Sequence, residues 1–155
     1  STIVPSPTTR PTGKPVQGEV APNFSLIDAR SGEVITLSDL TGQPVMINFW
    51  ATWCGYCKDE MPAIQAEYEK YQDDGLVILG LDVGDSRSSV LSYADELGLT
   101  FNLLLDSDEK VSELYLVQGL PTSFFVRRDS VIEILQVGSL SEAELSQYIK
   151  RIVEN

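Results

Sequence analysis

The chain has 155 residues, 43% apolar and 22% charged. That is the composition of one ordinary globular domain with its own core, so disorder over the whole length is excluded. With 23 acids against 11 bases, a net charge of −12 and no histidine, the chain is a poor match for a nucleic-acid backbone or an anionic membrane surface and cannot use any metal site or catalytic arrangement that needs an imidazole. No apolar run approaches the roughly 18 residues of a membrane-spanning helix.

Residues 1–18, STIVPSPTTRPTGKPVQG, are rich in Pro, Ser and Thr and come before the first aromatic residue, Phe24. Such a stretch buries too little apolar area to offset its ordering entropy. It reads as a flexible linker, with the folded domain over 19–155. Asn23–Ile27 and Glu33–Leu37 flank Ala29-Arg30-Ser31-Gly32 and predict an antiparallel hairpin. Ser38-Asp39-Leu40 suggests a helical turn. Val45–Ala51 is a short apolar run suited to a buried central strand. Met61, Ile64, Tyr68 and Tyr71 recur at helical spacing, so a helix runs from near Cys54 to near Gln72, with Pro62 inside it as an expected kink.

Asp73-Asp74-Gly75 closes that helix, and Leu76–Val83 is a second buried strand. Val90, Tyr93, Ala94 and Leu97 mark an amphipathic helix stopped by Gly98. A short strand over Phe101–Leu105 and a third helix through Val111, Leu114 and Tyr115 follow. The acids of Asp106-Ser107-Asp108-Glu109 read as a helix start, since a calcium loop needs a glycine and a spacing that are missing here. Thr122–Arg127 and Val131–Val137 predict an antiparallel pair. The last helix opens on a capping box, Ser141 with Glu144, and carries Leu145, Tyr148, Ile149 and Ile152 on its apolar face. The order is hairpin, then β-α-β-α-β-α, then β-β-α. This predicts an α/β fold with a mixed central sheet and helices on both faces.

The whole cysteine inventory is Cys54 and Cys57, in Trp53-Cys54-Gly55-Tyr56-Cys57. A structural zinc site wants four Cys or His ligands, and the chain offers two. A structural disulfide closing so short a loop stabilises by only about 2 kcal/mol. A redox dithiol is the third reading. The pair stands where a central strand gives way to a helix, and a helix N-terminus favours a thiolate. Sites in open α/β sheets are built at that carboxyl edge.

The stretch Asn48-Phe49-Trp50-Ala51-Thr52-Trp53-Cys54-Gly55-Tyr56-Cys57-Lys58 resembles the active-site segment of the thioredoxin superfamily. Gly119-Leu120-Pro121-Thr122 resembles its cis-proline loop. Two motifs in the right order on the right elements favour the redox reading over the structural one. Ala21-Pro22-Asn23-Phe24-Ser25-Leu26, the hairpin before Val45, a mid-chain α-β insertion at Ser86–Leu105, and Cys57-Lys58-Asp59-Glu60-Met61-Pro62 are similar to the extracytoplasmic branch of ResA, TlpA and CcmG proteins. The resemblance covers roughly 20–155 and implies a thioredoxin-like fold and a protein-disulfide reductase. Its expected substrates are disulfide-containing proteins such as apocytochrome c.

On that resemblance Cys54 is the nucleophile and Cys57 the resolving thiol. Thioredoxins keep a buried Asp on the preceding strand as a proton relay. The matching position here is Asn48, which cannot titrate. Glu60, three residues after Cys57 and projecting to the same side of the helix, is therefore expected to take over general acid–base work and to raise the thiol pKa values. Trp53, Gly55, Tyr56, Leu120 and Pro121 are expected to contact the substrate, with Leu120–Pro121 as a cis bond. Trp53 is expected to shield Cys54, and Trp50 to pack under the sheet.

The redox-active disulfide stands in for any cofactor, and no metal is expected. The implied setting is outside the cytoplasm, on an N-terminal tether, as a monomer recharged by a membrane electron donor. A peroxiredoxin-type peroxidase is the competing enzyme, although Ala51 stands where its signature wants Thr or Ser. A copper-delivery module wants a C-x-x-x-C and a distant His. Reduction of copper-site assembly proteins, or a role as oxidant or isomerase, are the remaining alternatives within thiol chemistry.

Overall fold

The computed structural model describes residues 14–155. One seven-stranded mixed sheet organises them, in the order β2-β1-β5-β4-β3-β6-β7. β1 (Ser25–Asp28) and β2 (Val34–Thr36) form the expected hairpin. β3 (Val45–Trp50) is buried at every position, which a strand with both faces covered requires. It runs parallel to β4 (Val77–Val83), pairing Trp50 with Asp82, and β4 runs parallel to β5 (Asn102–Asp106). β6 (Thr122–Val126) is antiparallel to β3, and β7 (Ile132–Val137) to β6.

Three α-helices connect these strands and a fourth follows β7. α1 (Gly55–Tyr71) continues through Pro62, which is exposed. α2 (Arg87–Leu97) is capped by Ser86, whose hydroxyl accepts from Ser89 N–H. It ends on Gly98 in the left-handed region, φ 66°, a conformation that favours glycine. α3 (Lys110–Leu114) starts as the acidic run suggested: fully buried Asp106 accepts from the N–H groups of Val111 and Ser112 and from Ser112 Oγ. α4 (Glu142–Glu154) carries the capping box, a motif whose Ser contributes about 1 kcal/mol.

The sheet divides the core in two. α1, α2 and α4 bury Met61, Ile64, Val90, Tyr93, Leu145 and Ile149 against one face. α3 and the N-terminal segments bury Val111, Tyr115, Leu37 and Phe24 against the other. Helices therefore cover both faces.

One boundary differs from the sequence reading. Residues 1–13 of the expected linker lie outside the described residues. Gln17 and Gly18 are instead tied to β7: Gly18 N–H donates to Ile132 C=O, and Leu135 N–H to Gln17 Oε1, beside the Ile132 N–H bond to Glu19 C=O. β7 is an edge strand, and its outward-facing backbone groups need partners that composition does not reveal.

Candidate active site

β3 delivers its chain to the carboxyl edge of the sheet at Trp50, and four residues later stands Cys54, the N-cap of α1. Its backbone is extended, φ −88° and ψ 110°, and its sulfur accepts from Cys57 N–H at 3.1 Å. An N-cap normally offers an oxygen here. A sulfur in that place meets a free amide and the positive end of the helix, the environment that stabilises a thiolate.

Cys54 and Cys57 are joined as a disulfide, with Cα atoms 5.3 Å apart. Cys54 is 6% exposed and Cys57 1%, so the first sulfur is the more accessible. Around them the surface is open and aromatic: Trp53 and Tyr56 are 72% and 71% exposed, and Gly55 between them is exposed too. Trp50 is fully buried, its ring 4.6 Å from that of Tyr93.

The second motif reaches the same edge through antiparallel pairing. Phe49 faces Thr122 across β3 and β6, so the end of β3 that leads into Cys54 is the end at which Pro121 enters β6. The Leu120–Pro121 bond is cis. Leu120 packs against the cluster that contains both cysteines, and Pro121 C=O accepts from Gly138 N–H.

Glu60 is buried, 6% exposed. Its Oε2 accepts from Leu140 N–H at 2.6 Å, and its Oε1 has no partner. Burial pushes its pKa up, while the Leu140 N–H and the neighbouring Asn48 amide pull it partly back. Asn48 is buried as well and commits its Nδ2 to Ser123 Oγ at 2.9 Å, leaving its own Oδ1 unpartnered. Asn48 thus acts on Glu60 by proximity rather than through a fully formed bond. A carboxyl in this condition is poised to change protonation, because neither of its states is fully solvated or fully paired.

Of the residues singled out from sequence, Cys54, Cys57, Trp53, Gly55, Tyr56, Leu120 and Pro121 stand at one edge, and Glu60 lies one helical turn further along α1, buried against Leu140 and near Asn48. Sequence reading missed Ser123, Leu140, Thr52, Asp82 and Asp85. Asp85 Oδ2 accepts from Thr52 N–H at 2.8 Å, which ties the segment before Cys54 to the loop after β4. The one available signal was a pair of acids three apart at the end of a buried strand, Asp82 and Asp85. Among the described residues no cluster of three or more His, Cys, Asp or Glu side chains could hold a metal ion.

The AhpC/TSA family matches residues 17–134. The thiol-disulfide oxidoreductase ResA of Bacillus subtilis is 35% identical over 136 residues, covering 88% of this chain and 75% of that protein. A Chlorobium tepidum protein assigned as the thiol:disulfide interchange protein DsbE superposes with a TM-score of 0.81 at 28% identity, over 92% of this chain and 98% of its own. The thioredoxin domain of a thiol-disulfide oxidoreductase from Bacteroides vulgatus gives a TM-score of 0.80 at 25% identity, over 89% of this chain and 98% of its own.

Proposed function

The chain belongs to the AhpC/TSA family and, within it, to the ResA-like thiol–disulfide oxidoreductases, and from that premise we propose that it reduces disulfides in partner proteins outside the cytoplasm, apocytochrome c being the substrate class the resemblance implies. The observation that carries the reading is the Cys54–Cys57 pair at the N-terminus of α1, on the same sheet edge as Pro121 and in a segment with two exposed aromatic residues, Trp53 and Tyr56.

In the reduced protein the Cys54 thiolate attacks one sulfur of the substrate disulfide. A mixed disulfide forms, and the other substrate sulfur leaves as a thiolate and takes a proton. Cys57 then loses its proton to Glu60 and attacks Cys54 Sγ. The second substrate sulfur departs as a thiolate and takes the proton that Glu60 received, and the protein holds the Cys54–Cys57 disulfide. Two electrons and two protons have passed to the substrate, and a membrane electron donor restores the dithiol. Trp53, Gly55 and Tyr56 on one side and Leu120 and Pro121 on the other hold the extended substrate chain. An N-terminal tether keeps the monomeric domain at the membrane.

Reduction rather than oxidation is supported by Glu60. A buried carboxyl one helical turn from Cys57 disfavours the thiolate, and a less stabilised reduced state is a stronger reductant. The test is capture by the Cys57→Ser variant, which retains the attacking thiol and lacks the resolving one. A protein cross-linked through Cys54 and released by dithiothreitol is the expected product. Failure to form a mixed disulfide even with a model protein disulfide overturns the assignment. An equilibrium potential well above roughly −200 mV against glutathione would make the chain an oxidant instead.

A further inference from the structure

A second buried carboxyl lies on the same sheet face as Glu60, and the exchange reaction leaves it unused. Asp82, next to last in β4, is fully buried. Its strand partner is Trp50, whose indole edge lies over the Cα of Gly80, two residues earlier on the same face. Asp82 Oδ1 accepts from Asp85 N–H at 2.9 Å, and Oδ2 has no partner among the hydrogen bonds. The Asp85 backbone thus holds Asp82 while the Asp85 carboxylate accepts from Thr52 N–H, and the two carboxyls act on each other to drive their pKa values apart. A continuous chain of contacts therefore leads from a sealed acid, through a half-buried one, to the backbone two residues before Cys54.

Two carboxyls three residues apart at one turn, one of them out of reach of water, are not both ionised without a large repulsion, and the usual resolution is one shared proton. The remaining ionisable groups acting on the pair bring no relief. Asp106 at the end of β5 is an acid, and Tyr93 of α2, with its hydroxyl unpartnered, itself feels Glu96 and Asp59. We propose that Asp82 and Asp85 share one proton and that this singly protonated pair positions the Thr52–Cys54 segment for thiol–disulfide exchange. The proton sits on Asp82 and points to Asp85, and Asp85 keeps the charge that grips Thr52 N–H. Loss of the proton places two anions at one turn, pushes the Asp85 carboxylate outward and slackens its hold on Thr52. Asp82 is thus a positioning residue acting through Asp85, distinct from Glu60, which addresses Cys57.

The pairing also predicts which way each acid is displaced. Burial and the Asp85 carboxyl push Asp82 up to about 8, and Asp85 is held below the ordinary range by its bonds to Asp82 and Thr52. The proposal rests on the functional reading above for its consequence, but its first test does not. In the oxidised full-length chain, where neither thiol titrates, the amide signals of Thr52 and Asp85 are followed by NMR against pH. Both are expected to move together through a single one-proton step with a midpoint near 8. The step should vanish in Asp82→Asn and move to lower pH in Asp85→Asn, since a neutral neighbour no longer opposes ionisation of Asp82.

Persistence of the step in Asp82→Asn, or a midpoint unmoved in Asp85→Asn, overturns the shared proton. In the reduced chain, the rate of reaction with a small aromatic disulfide should match between wild type and Asp82→Asn below the step. Above it, the wild type should fall several-fold behind. A ratio that stays flat with pH overturns the positioning role. If neither protein exchanges disulfides while the amide step is present, the functional reading fails and the proton pair stands.

Discussion

The two faces of the central sheet differ in how completely their buried polar atoms are paired. On the α3 side, Phe24, Phe49, Tyr115 and Phe124 form a continuous aromatic cluster with ring centroids 5.0–5.9 Å apart, mostly edge to face. The buried tyrosine hydroxyl there donates to Pro22 C=O. On the side covered by α1, α2 and α4, the same strands present Asn48, Trp50, Gly80, Asp82 and Ser123 toward the carboxyl edge. Six buried side-chain atoms lack a partner among the described residues. Five of them, on Asn48, Trp50, Glu60, Asp82 and Tyr93, lie on this face, and the sixth, on Glu67, belongs to the helix that covers it. An unpartnered buried polar atom costs about 1–3 kcal/mol. Both faces carry an apolar core, but the unpaired polar atoms gather on the face that holds the dithiol, and β3, β4 and β6 each serve both.

The division can be broken most directly from the aromatic side. Phe124 is 1% exposed and touches both Phe49 and Tyr115. Phe124→Ala should remove about 3–5 kcal/mol of unfolding free energy, measured by denaturant titration. The exchange rate per folded molecule should stay near that of the wild type, because no side chain of that cluster reaches the dithiol. A large loss of rate in the folded fraction would mean the faces are coupled through β3.

Glu60→Gln tests the opposite face. The glutamine keeps an acceptor for Leu140 N–H but cannot take a proton from Cys57. Turnover with a protein disulfide should fall by about 10- to 100-fold, the lower range for a general base. The thiol pKa values should also fall, because a neighbouring negative charge has been removed. Stability should hold or rise. Thiol titration identical to wild type would remove Glu60 from the proton path.

Asp82→Asn sharpens the comparison through its pH dependence. The unfolded chain releases this proton near 3.8 and the folded chain near 8. Between those values the folded state binds more protons, so stability falls as pH rises, and the stability present at low pH is gone above the folded value. The asparagine has no proton to lose. The variant should gain on the wild type from about pH 4 to 8 and keep that lead above it, read as a difference between two stability–pH curves. Parallel curves would show that the acid is already paired in a way that burial does not penalise.

What could be read in advance follows the same division. The apolar run of β3, the helical spacing of Met61, Ile64, Tyr68 and Tyr71, the Ser141–Glu144 box and the two motifs around Cys54 and Pro121 are local patterns. Local patterns survive in a linear text. Glu60 drew notice through the resemblance around Cys57–Pro62 and its helical spacing from Cys57, whereas its burial against Leu140 is a tertiary fact. Asp82 was not legible. An acid at the end of an apolar strand reads as the start of a loop until the register with Trp50 places it under a helix. Arg30 and Arg128 were opaque for the same reason. Their guanidinium groups bond backbone carbonyls of Leu99 and Phe101, and of Gly42, Asp74 and Val153, which are partners set only by the tertiary arrangement. The attachment of Gln17 and Gly18 to β7 depends likewise on which strand ends at the sheet's edge.

The smallest expected effect falls on the polar atom within the aromatic cluster. Tyr115→Phe deletes the hydroxyl that donates to Pro22 C=O and leaves that carbonyl without this donor. The ring contacts with Phe24, Phe49 and Phe124 are untouched, so the loss should be about 1 kcal/mol, the net worth of one hydrogen bond. Thermal unfolding checks it, with a shift of roughly 2–4 °C for a domain of this size. A much larger loss would show that the hydroxyl anchors the Ala21–Phe24 segment, and that the aromatic face also depends on a polar contact of the kind that crowds the other.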